Sequence, residues 1–522
     1  MSLTNAEIVT LHKECIKYVK ENSYDKAIEY YAKIIKAEPN NIYSYYNELG
    51  EIYEKKGMFY EAIVNCYIHI ISHNKDDAFI LHKIGICYFN LHQFKLALHY
   101  FKKIVIRYPL VDIYTNMSTC YVNLKEYINA ENTLNKAYDI EKNNVRLLIQ
   151  LNKIHYYLKN YDKSIYYFNK YNSLKINDKV ENDTIKYNTS FVFLGKKNFK
   201  TGFELYETRL EHNNSNSQTG LIERVEVPID NWNGKDKCDR LLVIYEQGYG
   251  DNIQYYRFII ELSIRYPEMK IDYFCKKEIQ HIFKEYGNIS IIDTIIIHNY
   301  NYKLFIMSLP YMLNLTTIVP NNNNYINVNN KKLLYWNEKC SKIKKFKVGF
   351  VYNGLLSSFI EKNIPLLAFD ILAELDIELI CLHKKDSIRD DIESLDLKEN
   401  KRLKEKITFF EIDNDVPFED TICLLQNIDL LLTIDTFIVH LAGVLNVKTW
   451  LLLGKYSEWR WSDTDSTYWY NSVELLRVKE EIELKSILHT EVKPKLIDLI
   501  KNKNKNNVSC PIENESNEII YI

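Results

Sequence analysis

The sequence predicts an α-helical solenoid followed by a two-part α/β region. Three observations lead to this prediction: an internal repeat of about 34 residues in the first third of the chain, a change to alternating strand and helix patterns near residue 221, and a compact strand–turn–helix–strand run at 429–453. The length of 522 residues fits roughly three domains at about 150 residues each.

The repeat becomes visible when small residues are aligned. They follow one another at steps of 35, 35, 33 and 34 positions: Ala27, Ala62, Ala97, Ala130 and Ser164. Nine positions earlier stand aromatic rings or a histidine: Tyr18, Tyr53, Tyr88, Tyr121 and His155. Twelve positions earlier stand mostly small residues: Cys15, Gly50, Gly85, Ser118 and Asn152. Small residues let two helices cross closely, and aromatic rings fill the space between helices. These aligned positions, or columns, therefore predict stacked helical hairpins.

A sixth, degenerate hairpin is expected at 187–209, because its residues repeat the columns after a step of 38: Phe193, Phe199, Gly202 and Tyr206. Stacked hairpins form a concave surface that suits a peptide or protein, and they bring no nucleophile or metal site of their own. The groove positions hold mixed Asn, Lys, Tyr and His, which do not identify the peptide. The alternative is that the repeats only dimerise or stiffen the chain.

The α/β region is expected to begin with a buried strand at 241–245, a glycine turn and a helix. Further strands are expected at 270–275, 290–297, 303–308, 347–352, 378–382 and 408–411, with a linker at 321–330. The clearest unit has a strand at 429–434, a helix at 437–445 and a strand at 448–453. Two such halves in series place a cleft at the carboxyl ends of their strands, where nucleotide-type ligands bind.

The glycine turn allows a ligand to approach the backbone. Gly248 and Gly250 precede a helix, and the free amides of a helix start favour a phosphate or a carboxylate. The third glycine of the dinucleotide fingerprint is absent, because Ile253 holds its position. Asp251 is either the N-cap of this helix or a general base that faces an acceptor hydroxyl.

Four further residues have two interpretations each. The side chain of Asp435 or of Thr436 can cap the following helix, while the amides of this turn and the Thr436 hydroxyl can also hold a diphosphate. His440, one turn into that helix, either faces the strand ends or packs beneath them as a core residue. Lys362 either neutralises phosphate charge or is a solvated surface lysine.

Charge and composition exclude several functions. Sixty-seven basic residues against 69 acidic ones leave a net charge of −2, so nucleic acid and an anionic membrane are not expected partners. The most apolar stretch, 428–445, is interrupted by Asp429, Asp435 and His440 and is not expected to span a membrane. Ten cysteines without a C-x-x-C pair predict no metal site, and the charged N-terminus does not resemble a secretory signal, which favours a cytoplasmic protein.

At these motifs the chain resembles tetratricopeptide-repeat proteins fused to a glycosyltransferase domain related to bacterial heptosyltransferases and, more remotely, to protein O-linked N-acetylglucosamine transferases. The resemblance covers nearly the whole length and is carried by an ordered set of motifs: Tyr206-Glu207-x-Arg209, Trp232-x-Gly234, Glu246-Gln247-Gly248-x-Gly250-Asp251-x-x-Gln254, Val348-Gly349, Ile364-Pro365, Asp435-Thr436-x-x-x-His440-Leu441-Ala442-Gly443, Trp459-Arg460-Trp461 and Trp469-Tyr470.

The resemblance implies a GT-B fold of two Rossmann-like halves that transfers sugar from a nucleotide-diphosphate donor without metal or cofactor. Asp251 matches the proposed acceptor base and Lys362 the basic residue near the donor phosphates. The residues expected to bind the donor are Gly248, Gly250, Asn353, Asp435, Thr436, His440, Ala442 and Gly443. The implied partners are the nucleotide sugar and a protein or glycan acceptor recruited by the solenoid.

Two departures keep a second hypothesis open. One lysine beside Glu361 stands where relatives have several arginines, and Phe437 replaces a usually small residue. The alternative to an enzyme is therefore a non-catalytic interaction scaffold with a degenerate glycosyltransferase-like domain. The predicted organisation has five parts: a solenoid of about five repeats at 1–175, a degenerate repeat and connector at 176–220, an acceptor-side half at 221–330, a donor-side half at 340–495 and a flexible tail at 500–522.

Overall fold

The computed structural model describes residues 4–38, 42–211, 225–320, 323–354, 362–461, 464–479 and 483–508. The chain divides into two compact units, Met1–Thr189 and Ser190–Ile522. The first is all-helical and the second contains two parallel β-sheets.

The helices of the first unit follow one another with short turns. Their bounds are Asn5–Lys20, Tyr24–Ala37, Ile42–Lys55, Phe59–Ala62 continued through a π-helical turn Ile63–Tyr67 into Ile68–His73, Ala78–Asn90, Phe94–Val105, Val111–Asn123, Tyr127–Ile140, Val145–Tyr157, Tyr161–Ser173 and Lys179–Gly195, the last of which runs into the second unit.

One left-handed residue ends the first helix of each hairpin. These residues have φ between 57° and 75° and repeat at the predicted steps: Asn22, Gly57, His92, Lys125, Lys159 and Lys197. The amide that follows each of them donates to the carbonyl five residues before it, as Ser23 does to Tyr18 at 2.8 Å and Asn198 to Phe193 at 2.9 Å. This is a helix-ending motif, and its spacing confirms the predicted period, including the step of 38 to the sixth hairpin.

The predicted small residues lie at the helix crossings. All five aligned residues, from Ala27 to Ser164, are fully buried. A Cβ atom on Gly50 or Gly85 would lie 2.5 Å from the ring of Tyr67 or Phe101, so these rings occupy the space that the glycines leave. In the fifth hairpin, Asn152 takes the same column and its amide donates to the carbonyl and hydroxyl of Ser164.

The second unit has two parallel sheets. The first consists of β1 (Arg240–Ile244), β2 (Lys270–Phe274), β3 (Ile289–Ile292) and β4 (Tyr302–Phe305), in the order β3-β2-β1-β4. The second consists of β5 (Phe346–Val351), β6 (Ile377–Cys381), β7 (Ile407–Phe409), β8 (Leu430–Ile434), β9 (Thr449–Leu453) and β10 (Val473–Arg477), in the order β10-β9-β8-β5-β6-β7.

The α-helices of this unit precede, connect or follow these parallel strands. Their bounds are Phe199–Tyr206, Tyr249–Arg265, Leu309–Met312, Asn330–Ser341, Arg389–Ser394, Lys401–Lys404, Glu419–Leu425, Phe437–Val444 and Lys493–Val508. In each sheet the strand order reverses between the first and the fourth strand in chain order, that is between β1 and β4 and between β5 and β8. Crevices for ligands form at the carboxyl ends of the strands at such switch points, which directs attention to the loops after β1, β4, β5 and β8.

Some expected boundaries were wrong. The strand expected at 290–297 ends at Ile292, and Asn330, assigned to a linker, begins a helix capped by the side chain of Asn329. The helix Lys493–Val508 extends into the segment expected as a tail. Residues 212–220, 321–322 and 509–522, which belong to the predicted connector, linker and tail, lie outside the described residues.

Cysteines and membrane spans can be assessed over the described ranges. The nine cysteines found there are buried and form no disulfide. Over the same ranges, no helix has the length and apolar character that crossing a membrane requires.

Candidate functional site

The loop after β1 aims a carboxylate at the carboxyl ends of the strands. Gln247 is left-handed at φ 65°, and Gly248 is the N-cap of helix Tyr249–Arg265. Asp251 is therefore not the N-cap, which was one of its two interpretations. It stands at the third helical position, and its Oδ2 accepts the Gly248 amide at 3.2 Å. This bond orients the side chain and leaves Oδ1 for another partner.

That partner comes from the second half of the unit. The guanidinium of Arg460 donates from Nη2 to Asp251 Oδ1 at 2.6 Å, from Nε to Gln254 Oε1 at 3.1 Å and from Nη1 to Glu458 Oε2 at 2.9 Å. The Arg460 side chain is only 14% exposed and that of Asp251 is 24% exposed. Burial raises the pKa of the Asp251 carboxyl, Arg460 opposes that rise, and the charge of Glu458 adds to it.

Lys362 continues the chain of charges. Its Nζ lies 2.9 Å from Asp435 Oδ2 and 3.4 Å from Glu458 Oε1, and the side chain is 18% exposed. It is not the solvated surface lysine of the alternative interpretation. Burial disfavours its charged form, but the Asp435 and Glu458 carboxylates outweigh burial and hold the pKa of Lys362 above its ordinary value. Both cations of this network therefore contact two carboxylates each.

His440 packs beneath this network. It is 6% exposed, stacks on Trp461 at 5.5 Å between ring centroids, and its Nδ1 lies 3.1 Å from the Tyr470 hydroxyl. A Cβ on Gly250 would lie 2.8 Å from His440 Cδ2, so the glycine permits the two helix starts to approach. Burial, aided by the positive charge of Arg460, lowers the pKa of His440 to about 3, and its ring is neutral at pH 7.

The start of helix Phe437–Val444 carries an unsatisfied polar group. Thr436 is the N-cap residue, but its side chain makes no capping bond, and its buried Oγ1 has no partner among the described residues. Asp435 pairs with Lys362 instead of capping. A hydroxyl donor and helix-start amides at the end of β8 match the chemistry expected around an anion.

The other predicted donor-binding residues lie apart from the ion pairs. The amide of Asn353 lies 3.5 Å from His383 Nε2 at the end of β5. Ala442 is fully buried, and a Cβ on Gly443 would collide with the ring of Tyr470. The geometry gives the last two residues a packing role, and their donor-binding role stays a prediction.

Phe437 belongs to an aromatic cluster. Its ring lies 4.7 Å from Phe418 and 6.2 Å from Tyr249 between centroids. Phe418 has φ 66°, an unfavourable backbone conformation for an aromatic residue. Three rings from three helix starts thus pack together at Phe437, where a small residue was expected.

Arg209 occupies the switch point of the first sheet. Fully buried, it donates to both Glu246 oxygens, at 3.3 and 2.7 Å, and to Ser308 Oγ at 2.7 Å and Glu207 Oε1 at 2.5 Å. Glu246 follows β1 and Ser308 follows β4, so the guanidinium joins the ends of both strands. Asn252 Nδ2 braces the same loop by donating to the carbonyls of Glu246 and Gly248.

Two residues of the network were not predicted from the sequence as members of the site. Glu458 was not considered, and Arg460 was noted only within the Trp459-Arg460-Trp461 motif. A lone arginine between two tryptophans was the available signal, since Arg stacks on aromatic faces while its donors bind carboxylates. No group of three or more His, Cys, Asp or Glu side chains with a metal-binding arrangement occurs within the described parts of the chain.

Comparisons with known proteins identify the repeats. The tetratricopeptide repeat family model matches residues 18–41 and 111–144. A tetratricopeptide repeat protein from Parabacteroides merdae is 19% identical, with 39% of this chain and 86% of that chain covered and a TM-score of 0.33. The structure of MamA is 21% identical (30% and 92% covered, TM-score 0.28), and MamA residues 41-end from Desulfovibrio magneticus are 15% identical (32% and 94% covered, TM-score 0.30).

No curated protein matches this chain. The matched repeats and the two sheets together describe tetratricopeptide repeats followed by a parallel-sheet α/β region. Tetratricopeptide repeats are interaction modules, so the first unit supports binding to protein partners.

We expect His440 to make the stability of the α/β unit sensitive to acid. The folded chain excludes a proton that an unfolded histidine binds below about pH 6.5, so stability is complete above that pH and declines as the pH falls towards about 3. Urea unfolding at pH 7 and pH 5 should show a decline about 2 kcal/mol smaller in His440→Phe, which keeps the stacked ring. His489→Gln, an exposed histidine of the same unit, is the control, and an equal decline in His440→Phe and the wild type would refute this role.

Proposed function

We propose that this chain is a metal-independent GT-B glycosyltransferase that moves a sugar from a nucleotide-diphosphate donor to a protein or glycan acceptor recruited by its repeats. One observation carries the proposal. Asp251 from the first half and Lys362 and Asp435 from the second meet in one ion-pair network at the carboxyl ends of parallel strands. Ligands bind to doubly wound sheets at that edge.

Asp251 supplies the base in this mechanism. Its carboxylate accepts the proton of an acceptor hydroxyl as that oxygen bonds to the anomeric carbon of the donor sugar. Burial supports the role, because a carboxylate with a raised pKa is a stronger base than one in water. The bond from the anomeric carbon to the phosphate oxygen breaks at the same step, and its electron pair leaves with the nucleoside diphosphate.

Lys362 and the helix start after Thr436 stabilise the negative charge of that leaving group. The ammonium group lies beside the end of β8, where the Thr436 hydroxyl and the first amides of helix Phe437–Val444 supply further donors. Together they stabilise charge that develops on the phosphate as the bond breaks. Asp435 then orients Lys362 and does not itself contact the phosphate.

A second candidate function rests on charge. The network contains two cations and three carboxylates: Lys362, Arg460, Asp251, Glu458 and Asp435. Its net charge is therefore 2 − 3 = −1, and each cation is already paired with carboxylates of the protein. A diphosphate has to compete with these carboxylates. A scaffold that has lost turnover, with partners bound by the repeats, is the function that this observation favours.

Nucleotide binding distinguishes these functions. Without added metal, we expect one of the uridine, guanosine, adenosine or cytidine diphosphates to raise the melting temperature of the whole chain. Lys362→Ala should weaken that binding by about 1 to 3 kcal/mol, through loss of a charge-assisted contact. Calorimetric titration gives the affinity.

Lys347→Ala is the matched control. Lys347 is 19% exposed and lies 3.7 Å from Asp429, but it stands at the amino end of β5, away from the strand ends. Its removal should leave nucleotide affinity unchanged. Binding of no diphosphate at millimolar concentration, or equal losses in both variants, would favour the scaffold.

The role of Asp251 as the base can be tested separately. Asp251→Asn should abolish release of nucleoside diphosphate from the nucleotide sugar in the presence of acceptor, while donor affinity changes by less than about threefold, because the amide cannot take the proton but fills the same space. Calorimetry on the same preparation measures the affinity. A collapse of donor binding, or retention of full turnover, would remove Asp251 from the role of base.

A further inference from the structure

Arg460 is the cation that contacts Asp251, and the two come from different halves of the α/β unit. Asp251 lies in the first turn of the helix after β1, whereas Arg460 lies in the loop between β9 and β10. A close approach of Gly250 to His440 places the start of the helix that carries Asp251 against helix Phe437–Val444 of the second half. The position of the proposed base therefore depends on a residue 209 positions further along the chain.

Arg460 makes its three contacts through different nitrogens of its planar, rigid guanidinium group. Asp251, Gln254 and Glu458 accept from Nη2, Nε and Nη1, and the guanidinium lies 5.2 Å from the ring centroid of Trp459. Asp251 and Gln254 stand on the same helix, three positions apart, so two bonds fix Arg460 relative to that helix. A lysine has the same charge but cannot reproduce this fork.

We propose that Arg460 is a positioning residue that holds the Asp251 carboxylate in place as the acceptor base. This inference rests on the proposed function for its catalytic part, while the coupling between the two side chains does not depend on transfer. Arg460 touches neither phosphate nor acceptor in this account. It acts through Asp251, whose orientation and charge it sets.

Electrostatics support the assignment. Burial and the charges of Glu458 and Asp435 raise the pKa of Asp251, while Arg460 and the Gly248 amide lower it. His440, packed against Gly250, is neutral at pH 7 and contributes no charge. Without Arg460, the remaining charges would favour the protonated acid, which cannot accept a proton from a hydroxyl.

The first measurement requires no transfer. The pKa of Asp251 in the whole chain is obtained from the pH dependence of the unfolding free energy, by comparing each protein with its Asp251→Asn counterpart. In Arg460→Gln we expect this pKa to rise by about 1 to 3 pH units, the range for loss of an adjacent opposite charge. Because a raised pKa stabilises the protonated folded form, the stability contributed at low pH is lost as the pH rises through the new value.

The second measurement tests positioning. Arg460→Lys keeps the charge, so the pKa of Asp251 should stay near its original value while kcat falls about 10- to 100-fold and KM for the donor is little changed. Arg265→Gln removes a charge from the far end of the same helix and is the control for both measurements. If Arg460→Gln does not fold, Arg460→Lys still tests the proposal.

The outcomes separate this proposal from the proposed function. An unchanged pKa of Asp251 in Arg460→Gln, or full kcat in Arg460→Lys, overturns the role of Arg460. If the wild-type chain transfers no sugar to any acceptor but Arg460→Gln still shows the raised pKa of Asp251, the transferase function is overturned and the Arg460–Asp251 coupling stands.

Discussion

The α/β unit depends on one line of alternating charges, from Asp251 through Arg460, Glu458 and Lys362 to Asp435. Charges withdrawn from water are tolerated only when they are paired, and each cation here has two carboxylate partners. The line runs from the first helix of one sheet to the end of β8 in the other, so the same ion pairs that hold the halves together also arrange the proposed chemistry. Gly250 makes this possible, because any side chain there would collide with His440.

Arg209 has a similar part at the first sheet. It neutralises Glu246, which is completely buried, and ties the loop after β1 to Ser308 after β4. A buried arginine therefore joins the two strand ends at that switch point, and the loop that carries Gly248 is held by Arg209 through Glu246 and by Asn252. A fixed loop suits a base, since a catalytic carboxylate acts only when held close to the productive geometry.

The repeats could be predicted because the same types of residue recur at the aligned positions of five hairpins. A pattern that would be weak in one hairpin is specific when it occurs five times. The turns between their helices were hidden, since His92, Lys125 and Lys159 adopt the left-handed conformation that glycine usually signals. The residues of the candidate site, such as Asp251, Lys362 and Asp435, were named one by one because the family resemblance chose between the interpretations that their chemistry left open, but their partners were not predicted. Arg460 and Glu458 contact them only because the strand order and the Gly250 contact bring distant loops together, and the spacing of these residues in the sequence does not indicate this.

The helix at Glu419–Leu425 was missed for a similar reason, since Asp413 caps it from outside the helix and Phe418 is an atypical residue before a helix start.

The central claim is that Lys362 serves an anionic ligand while sharing its charge with the network. The most direct measurement is the affinity of Glu458→Gln for the nucleoside diphosphate that stabilises the wild-type chain, by calorimetry without metal. Glu458 competes for Lys362 at 3.4 Å, and its neutralisation changes the net charge of the network from −1 to 0. We expect Glu458→Gln to bind the diphosphate more tightly than the wild type does. Weaker or unchanged binding would contradict it, because Lys362 would then not be the group that the phosphates and Glu458 have in common.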